Sequence, residues 1–354
     1  SSQLYPTRAK AATVASIVLG ICFLLRAVAD ITTATWLLNI NPLGWVEKLS
    51  PLYKPDPIWL LPIILLIFTL TSLSIYFAKK RDYGESIIPE KDFSKAHLSL
   101  LNSPFASAIR LSWGNQLGWI VSVFSMSLLY GLITKSVAQV FKQSSKAGKS
   151  LSHLSLGSSK TGILIFLGVI FLLQMVVVMV YVANNLVSLR KDESNGYLDN
   201  FLVQPYSRIR WMSGRITIIL SGLLAICLLS SLGVWIGVAS QHINISFNSL
   251  FLASINMIIP AIFALGVGVI AFGIRPRLTS FAVYFVLGWS FLLEMVGTGL
   301  NFNHWLLDTS VIHQMALAPA INPNWPVDFA LVGVSVILLL FGITIFNKRD
   351  LVNE

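Results

Sequence analysis

Apolar residues in this chain fall in long unbroken blocks, not in the short alternating segments of a membrane barrel. Blocks of roughly span length lie at 11–38, 58–78, 117–133, 162–187, 216–238, 250–274, 278–296 and 327–346. Crossing the hydrocarbon core takes about 20 apolar residues as a helix. The pattern therefore predicts an all-α polytopic helical membrane protein with eight spans.

The polar pieces between blocks have distinct characters. Residues 41–57 combine Asn41-Pro42-Leu43-Gly44-Trp45 with Pro51, Pro55 and Pro57, which reads as a loop. After a polar stretch over 83–103, Ser103-Pro104 looks like a helix start, with serine capping and proline at the first position. An interfacial helix leading into the third span is expected there. Residues 135–160 read as a Ser/Lys-rich loop. Residues 189–215 are the most charged run in the chain. Within them Leu198, Phe201 and Leu202 recur at helical spacing, and Pro205 ends that short helix. Such a helix on a basic loop suits docking to a partner, and equally suits a plain anchor between two spans. Residues 297–326 are too broken for a span and too apolar for a free loop, which suggests a re-entrant or interfacial element on the outer face.

Composition supports the membrane reading. The 354 residues are 55% hydrophobic and 11% charged, with a mean hydropathy of +0.75, whereas soluble proteins carry about 25% charged residues. The net charge of +10 sits in loops beside span ends, so it reads as orientation signal and anionic-lipid attraction, not nucleic-acid binding. The Lys/Arg bias places both ends of this chain in the cytoplasm, with 17 basic residues inside, 7 outside and Arg26 within the membrane. Cys22 and Cys227 both lie in apolar blocks, which argues against a disulfide framework or a zinc site.

Two parts of the chain echo each other. Val18-Leu19-Gly20 with Phe23-Leu24-Leu25-Arg26 recurs 268 residues later as Val286-Leu287-Gly288 with Phe291-Leu292-Leu293-Glu294, and Lys80-Arg81-Asp82 recurs at the same shift as Lys348-Arg349-Asp350. Trp36-Leu37-Leu38 recurs as Trp305-Leu306-Leu307, one residue off. The expected organisation is therefore 1–82 as the last two spans of a first repeat, 83–115 as a cytoplasmic linker with the interfacial helix, and 116–354 as a complete six-span repeat. Parallel repeats of this kind build transporters with the substrate route between the halves. The absent initiator methionine fits a missing N-terminal half of the same protein.

Arg26, Asp30 and Glu294 are the ionisable residues within spans. Such groups are costly in hydrocarbon and face a bundle interior, a partner or water. Arg26 and Asp30 share a helix face. Arg26 and Glu294 occupy equivalent repeat positions and are expected to approach each other, as a structural pair before a substrate contact. Gln174, Asn184 and Asn185 read as helix-packing polar groups, with a substrate path as the alternative. Gly162, Gly168, Gly266 and Gly268 read as close-packing positions. His304 and His313 lack the further ligands a metal site needs. Gly148-Lys149-Ser150 ends like a phosphate-binding loop, but Gln143 stands where that loop needs glycine. If ATP drives this protein, another chain binds it.

With these features assembled, the chain resembles the membrane subunit of ATP-binding-cassette exporters, and most closely the twelve-span permeases described as exporters of polyketide antibiotics. The resemblance rests on Glu193-x-x-Gly196-x-Leu198 followed by Leu202-x-x-Pro205-x-Ser207-Arg208-x-x-Trp211. It rests also on Phe272-Gly273-Ile274-Arg275-Pro276-Arg277, on Asn41-Pro42-Leu43-Gly44-Trp45, on Phe23 to Ala27 with Asp30, and on the closing Lys348 to Leu351. It covers nearly the whole chain. It implies a multi-pass permease in the bacterial cytoplasmic membrane that moves an antibiotic- or drug-like small molecule outward. It implies an ATP-binding subunit as partner, which would hold ATP and magnesium, with no cofactor and no catalysis in this chain. It assigns ATPase coupling to Glu193, Gly196, Leu198, Phe201, Leu202, Pro205 and Arg208. The alternative is an ion-coupled secondary transporter using the intramembrane carboxylates.

Overall fold

A computed structural model describes residues 8–31, 36–49, 56–79, 104–143, 159–194, 207–297 and 304–349. Every regular element among them is helical, and seven helices are long and apolar enough to cross a membrane. The protein is a polytopic helical membrane protein. The chain divides into two compact units, Ser1–His97 and Leu98–Glu354.

In the first unit, α1 (Arg8–Ile31) carries a shorter apolar stretch, Ala11–Arg26, and is the expected span that falls outside the seven. The first part of the loop expected over 41–57 is helix: α2 (Leu37–Ile40) leads into α3 (Pro42–Leu49). Asn41 explains the start of α3, because its Oδ1 accepts from Leu43 N at 3.1 Å and proline fits the first helical position. The helix α4 (Leu60–Lys79) buries none of its side chains within the unit, as a lipid- or protein-facing span would.

In the second unit, α5 runs unbroken from Pro104 to Gln143, 40 residues, or about 60 Å at 1.5 Å per residue. The interfacial helix, the third span and the start of the Ser/Lys-rich loop are thus one element, because no proline follows Pro104 to interrupt it. Next come α6 (Ser159–Ser194) and α7 (Arg208–Ser240). Both run into the charged stretch, so 189–194 and 208–215 are helix, not loop. Ser207 caps α7 by accepting from Arg210 N at 3.3 Å. The remaining elements are α8 (Phe247–Ile274), α9 (Pro276–Leu292) continued by a π-helical turn (Leu293–Gly297), α10 (His304–Leu307) and α11 (Trp325–Lys348).

The core of this unit centres on α8, whose apolar window is 67% buried, against 22% for α11. Met257, Leu265 and Phe272 of α8 meet Val178, Val182 and Leu186 of α6 and Met212 and Ile226 of α7 in one cluster. The segment after α10 folds inward as the broken 297–326 stretch suggested. Ile312 and Ala318 are buried, Asn256 Nδ2 of α8 donates to Ala316 O at 2.9 Å, and Gly168 of α6 makes room for the Leu317 backbone. The echoed Trp-Leu-Leu triplets both fall at one-turn helices, α2 and α10.

Small residues set the closest contacts. A Cβ on Gly237 of α7 would stand 2.7 Å from the Gly131 backbone of α5, and one on Gly233 2.9 Å from Phe124 O. Gly266 and Gly168 sit in similarly close contacts, as expected, and Gly268 is closed in by Leu186 and Val283 side chains, whereas Gly162 has nothing within 4 Å.

Candidate functional site

The last turn of α6, the first turn of α7 and the C-terminal ends of α8 and α11 converge on one arginine. Arg349 follows the last residue of α11. Its Nη2 pairs with Glu193 Oε1 in the last turn of α6, and its Nη1 donates to Phe272 O near the end of α8 at 2.8 Å. The guanidinium lies 5.6 Å from the ring centroids of both Phe272 and Phe346. Arg208, in the first turn of α7, donates through Nη1 to the backbone carbonyl of Arg349. Only 14% of the Arg349 side chain and 9% of that of Glu193 are exposed, so this is a sheltered, hydrogen-bonded pair and not a surface one. Beside it, Arg215 Nη2 meets Asp192 Oδ2 at 2.6 Å, with the guanidinium 5.7 Å from the Trp211 ring.

Two of the expected coupling residues, Glu193 and Arg208, are therefore brought together through Arg349. Gly196, Leu198, Phe201, Leu202 and Pro205 lie outside the described residues. The sequence places Arg349 in the repeated Lys348-Arg349-Asp350 span end and in the closing motif of the resemblance, without a partner. Its burial against two phenylalanines has no signature in local spacing.

Next to this knot, α5, α6 and α7 enclose a cavity of about 740 Å³. One wall is amide and hydroxyl: Asn115 and Ser112 of α5 face Asn184, Asn185 and Ser188 of α6. Asn184 Nδ2 donates to Asn115 Oδ1, and Asn115 Nδ2 and Gln116 Nε2 both donate to Asn185 Oδ1, each at 3.3 Å. Tyr181 Oη donates to Gln116 Oε1 at 2.6 Å, in space that Gly222 keeps free. The apolar part of the lining is Ile218 and Ile219 of α7, with Leu111 one turn before Asn115 on α5. Lys191, Asp192 and Arg215 stand at the loop end. Asn184 and Asn185 are thus both helix-packing groups and cavity lining. Gln174 lies deeper, donating to Ser127 Oγ at 2.7 Å.

Two of the three intramembrane ionisable residues, Arg26 and Glu294, are engaged locally. Arg26 Nη2 lies 2.9 Å from Glu47 Oε2 of α3. Glu294, in the π-helical turn, lies 3.3 Å from His313 Nδ1. Asp30 is on α1, and its side chain is outside those described. The expected approach of Arg26 to Glu294 rests on the repeat alone, and neither residue depends on it for a partner. A further acid, Asp328 at the start of α11, is 2% exposed, and neither of its carboxylate oxygens meets a donor among the described residues. Burying an unpartnered carboxylate is costly. Asp328→Asn should therefore hold or raise the thermal midpoint, by up to about 1 kcal/mol. A clear fall in the midpoint would show that the carboxylate has a partner.

A family model described as "Multidrug efflux system permease Rv1217c, C-terminal domain" matches residues 101–347. The multidrug efflux system permease protein Rv1217c of Mycobacterium tuberculosis is 26% identical over 362 aligned residues, 99% of this chain and 64% of that protein. The chain thus spans less than two thirds of the length of that curated relative.

Proposed function

Because this chain belongs to the family defined by that permease C-terminal domain, we propose that it is the membrane part of an ATP-driven exporter. In this reading it moves an amphipathic or hydrophobic drug-like compound out of a bacterial cell across the cytoplasmic membrane. ATP and magnesium are held by a separate ATPase chain, and an N-terminal half completes the permease. Residues 195–206 and the flanking basic ends face the cytoplasm.

The observation that carries the coupling role is the Arg349 knot. The chain enters residues 195–206 from Glu193 and leaves through Arg208, and both are tied to Arg349. A displacement of that stretch by an ATPase closing on nucleotide has stiff attachments to α6 and α7. Through Arg349 and the Phe272 carbonyl it also reaches α11 and α8. Packed helices move as units and pass on such a shift without absorbing it.

The test is co-purification with a candidate ATPase chain. Phe201→Asp is expected to abolish association while membrane insertion and thermal midpoint stay unchanged, because a charge on the docking face costs binding and not folding. Retained association would remove the docking role from this stretch. The ion-coupled reading keeps one specific support, the Glu294–His313 contact on a π-helical turn. Transport by vesicles under a proton gradient, without any ATPase chain, would favour it.

A further inference from the structure

From the cavity between α5, α6 and α7 we infer a binding site for amphipathic molecules with an anionic head, one that selects against lipophilic cations. The inference rests on the exporter reading only for why a ligand should come there; the chemistry comes from the walls.

The volume of about 740 Å³ is that of a drug-sized ligand site. The two walls differ in kind. Ile218, Ile219 and Leu111 offer an apolar face. The polar part of the lining, Asn115, Asn184 and Ser188, consists of exposed side chains. Each amide has two donors and an acceptor oxygen, and the contacts among the described residues use only part of that capacity. Such a wall takes carbonyl and hydroxyl oxygens in any of several orientations, which suits a broad ligand range.

The charge at the loop end decides the sign. Among the described lining residues, Lys191 and Arg215 stand there with Asp192, a formal excess of one positive charge. Asp192 Oδ2 is already engaged by Arg215 at 2.6 Å. The neighbouring Glu193 is held by Arg349 and does not line the cavity. A carboxylate, sulfonate or phosphate head therefore meets a free ammonium-bearing side chain, Lys191, which is exposed. A quaternary ammonium meets net repulsion in a partly desolvated site, where charges act more strongly than in water.

An exported compound and an anionic lipid headgroup share this chemistry. The experiment separates them. The protein is placed in phosphatidylcholine nanodiscs without an ATPase chain, so failure here is distinct from failure of the ATP-coupled reading. Binding is measured for two probes of matched size, a naphthalene sulfonate and a naphthyl trimethylammonium. The sulfonate should bind at least about tenfold more tightly. Lys191→Glu should reverse that order, and Asn184→Leu, which fills the cavity from an exposed position, should weaken both probes. If discs containing phosphatidylglycerol suppress sulfonate binding in the wild type but not in Lys191→Glu, the site is confirmed and its resident is a lipid headgroup. If phosphatidylglycerol has no effect, the site is confirmed as one for soluble amphipaths. Equal affinity for the two probes, or sulfonate binding indifferent to both substitutions, overturns the inference. A size-exclusion profile matching the wild type guards against misfolding, and Ser188→Asp supplies the charge change at a second exposed position.

Discussion

Arg349→Ala is expected to destabilise the second unit by about 3 kcal/mol and to abolish any transport that depends on ATP. Three losses combine. Glu193 is left sheltered without its main cationic partner. The Phe272 carbonyl loses a charged donor at 2.8 Å. The Phe272 and Phe346 rings, 5.4 Å apart at their centroids, lose the cation lying against both. Arg349→Lys keeps the charge but cannot reach Glu193 and the carbonyl together, since the guanidinium's fork is what allows two acceptors at once. It should fall between wild type and alanine. Glu193→Leu with Arg349→Leu should recover most of the stability, because two apolar groups avoid an unpaired charge, yet still lack coupling. Thermal midpoints in detergent and ATP-dependent uptake into inverted vesicles read the two effects separately. A midpoint unchanged in Arg349→Ala would remove the knot from the account of this fold.

Gly237→Leu is expected to have a comparable effect, about 3 kcal/mol, by a different route. A Cβ there would stand 2.7 Å from Gly131 Cα and C and from Leu128 O. All three are backbone atoms, so no rotamer change relieves the overlap and α5 and α7 must separate. Without a hydrophobic drive between helices in lipid, that close contact is itself the source of association. Gly288→Leu is the matched control, since nothing lies within 4 Å of the position, and it should leave the midpoint within about 0.5 kcal/mol. Equal loss in both variants would mean that glycine content and not the contact matters.

These two sites show what was legible in the chain. Span positions followed from apolar block length, and the inward-folded 304–323 segment from its broken pattern. Helix ends were not legible at α5, α6 and α7, because hydropathy marks where the bilayer stops and not where the helix stops. Arg190 to Ser194 stays helical because no glycine or proline ends it before Gly196. The α5–α7 contact has a sequence signature, since Gly233-Val234-Trp235-Ile236-Gly237 is the small-xxx-small pattern. Arg349 and the cavity were not readable. Both are made by residues from distant helices, and the amides of Asn115 and Asn185 are 70 positions apart.

The glycine contacts between α5 and α7 also fix where the pair can flex. Close approaches recur from Gly237 beside Gly131, through Gly233 beside Ser127, to Gly222 beside Gln116. Over that run, about 22 Å of α7, the two helices form one doubled beam, stiffer than either alone. Beyond Gly222 the backbones part: Gly214 has only the Phe105 ring beside it, at 3.8 Å, and the segment of α7 from Arg208 to Ile219, about 17 Å long, is tied instead to Arg349 through Arg208 and to Asp192 through Arg215. A load applied at Arg208 is therefore shared between Arg349 and the length of α7 that leads to the beam. The cavity lining at Ile218 and Ile219 lies between Arg208 and the beam, so a load carried along α7 passes the volume between α5, α6 and α7 before it reaches the close glycine contacts.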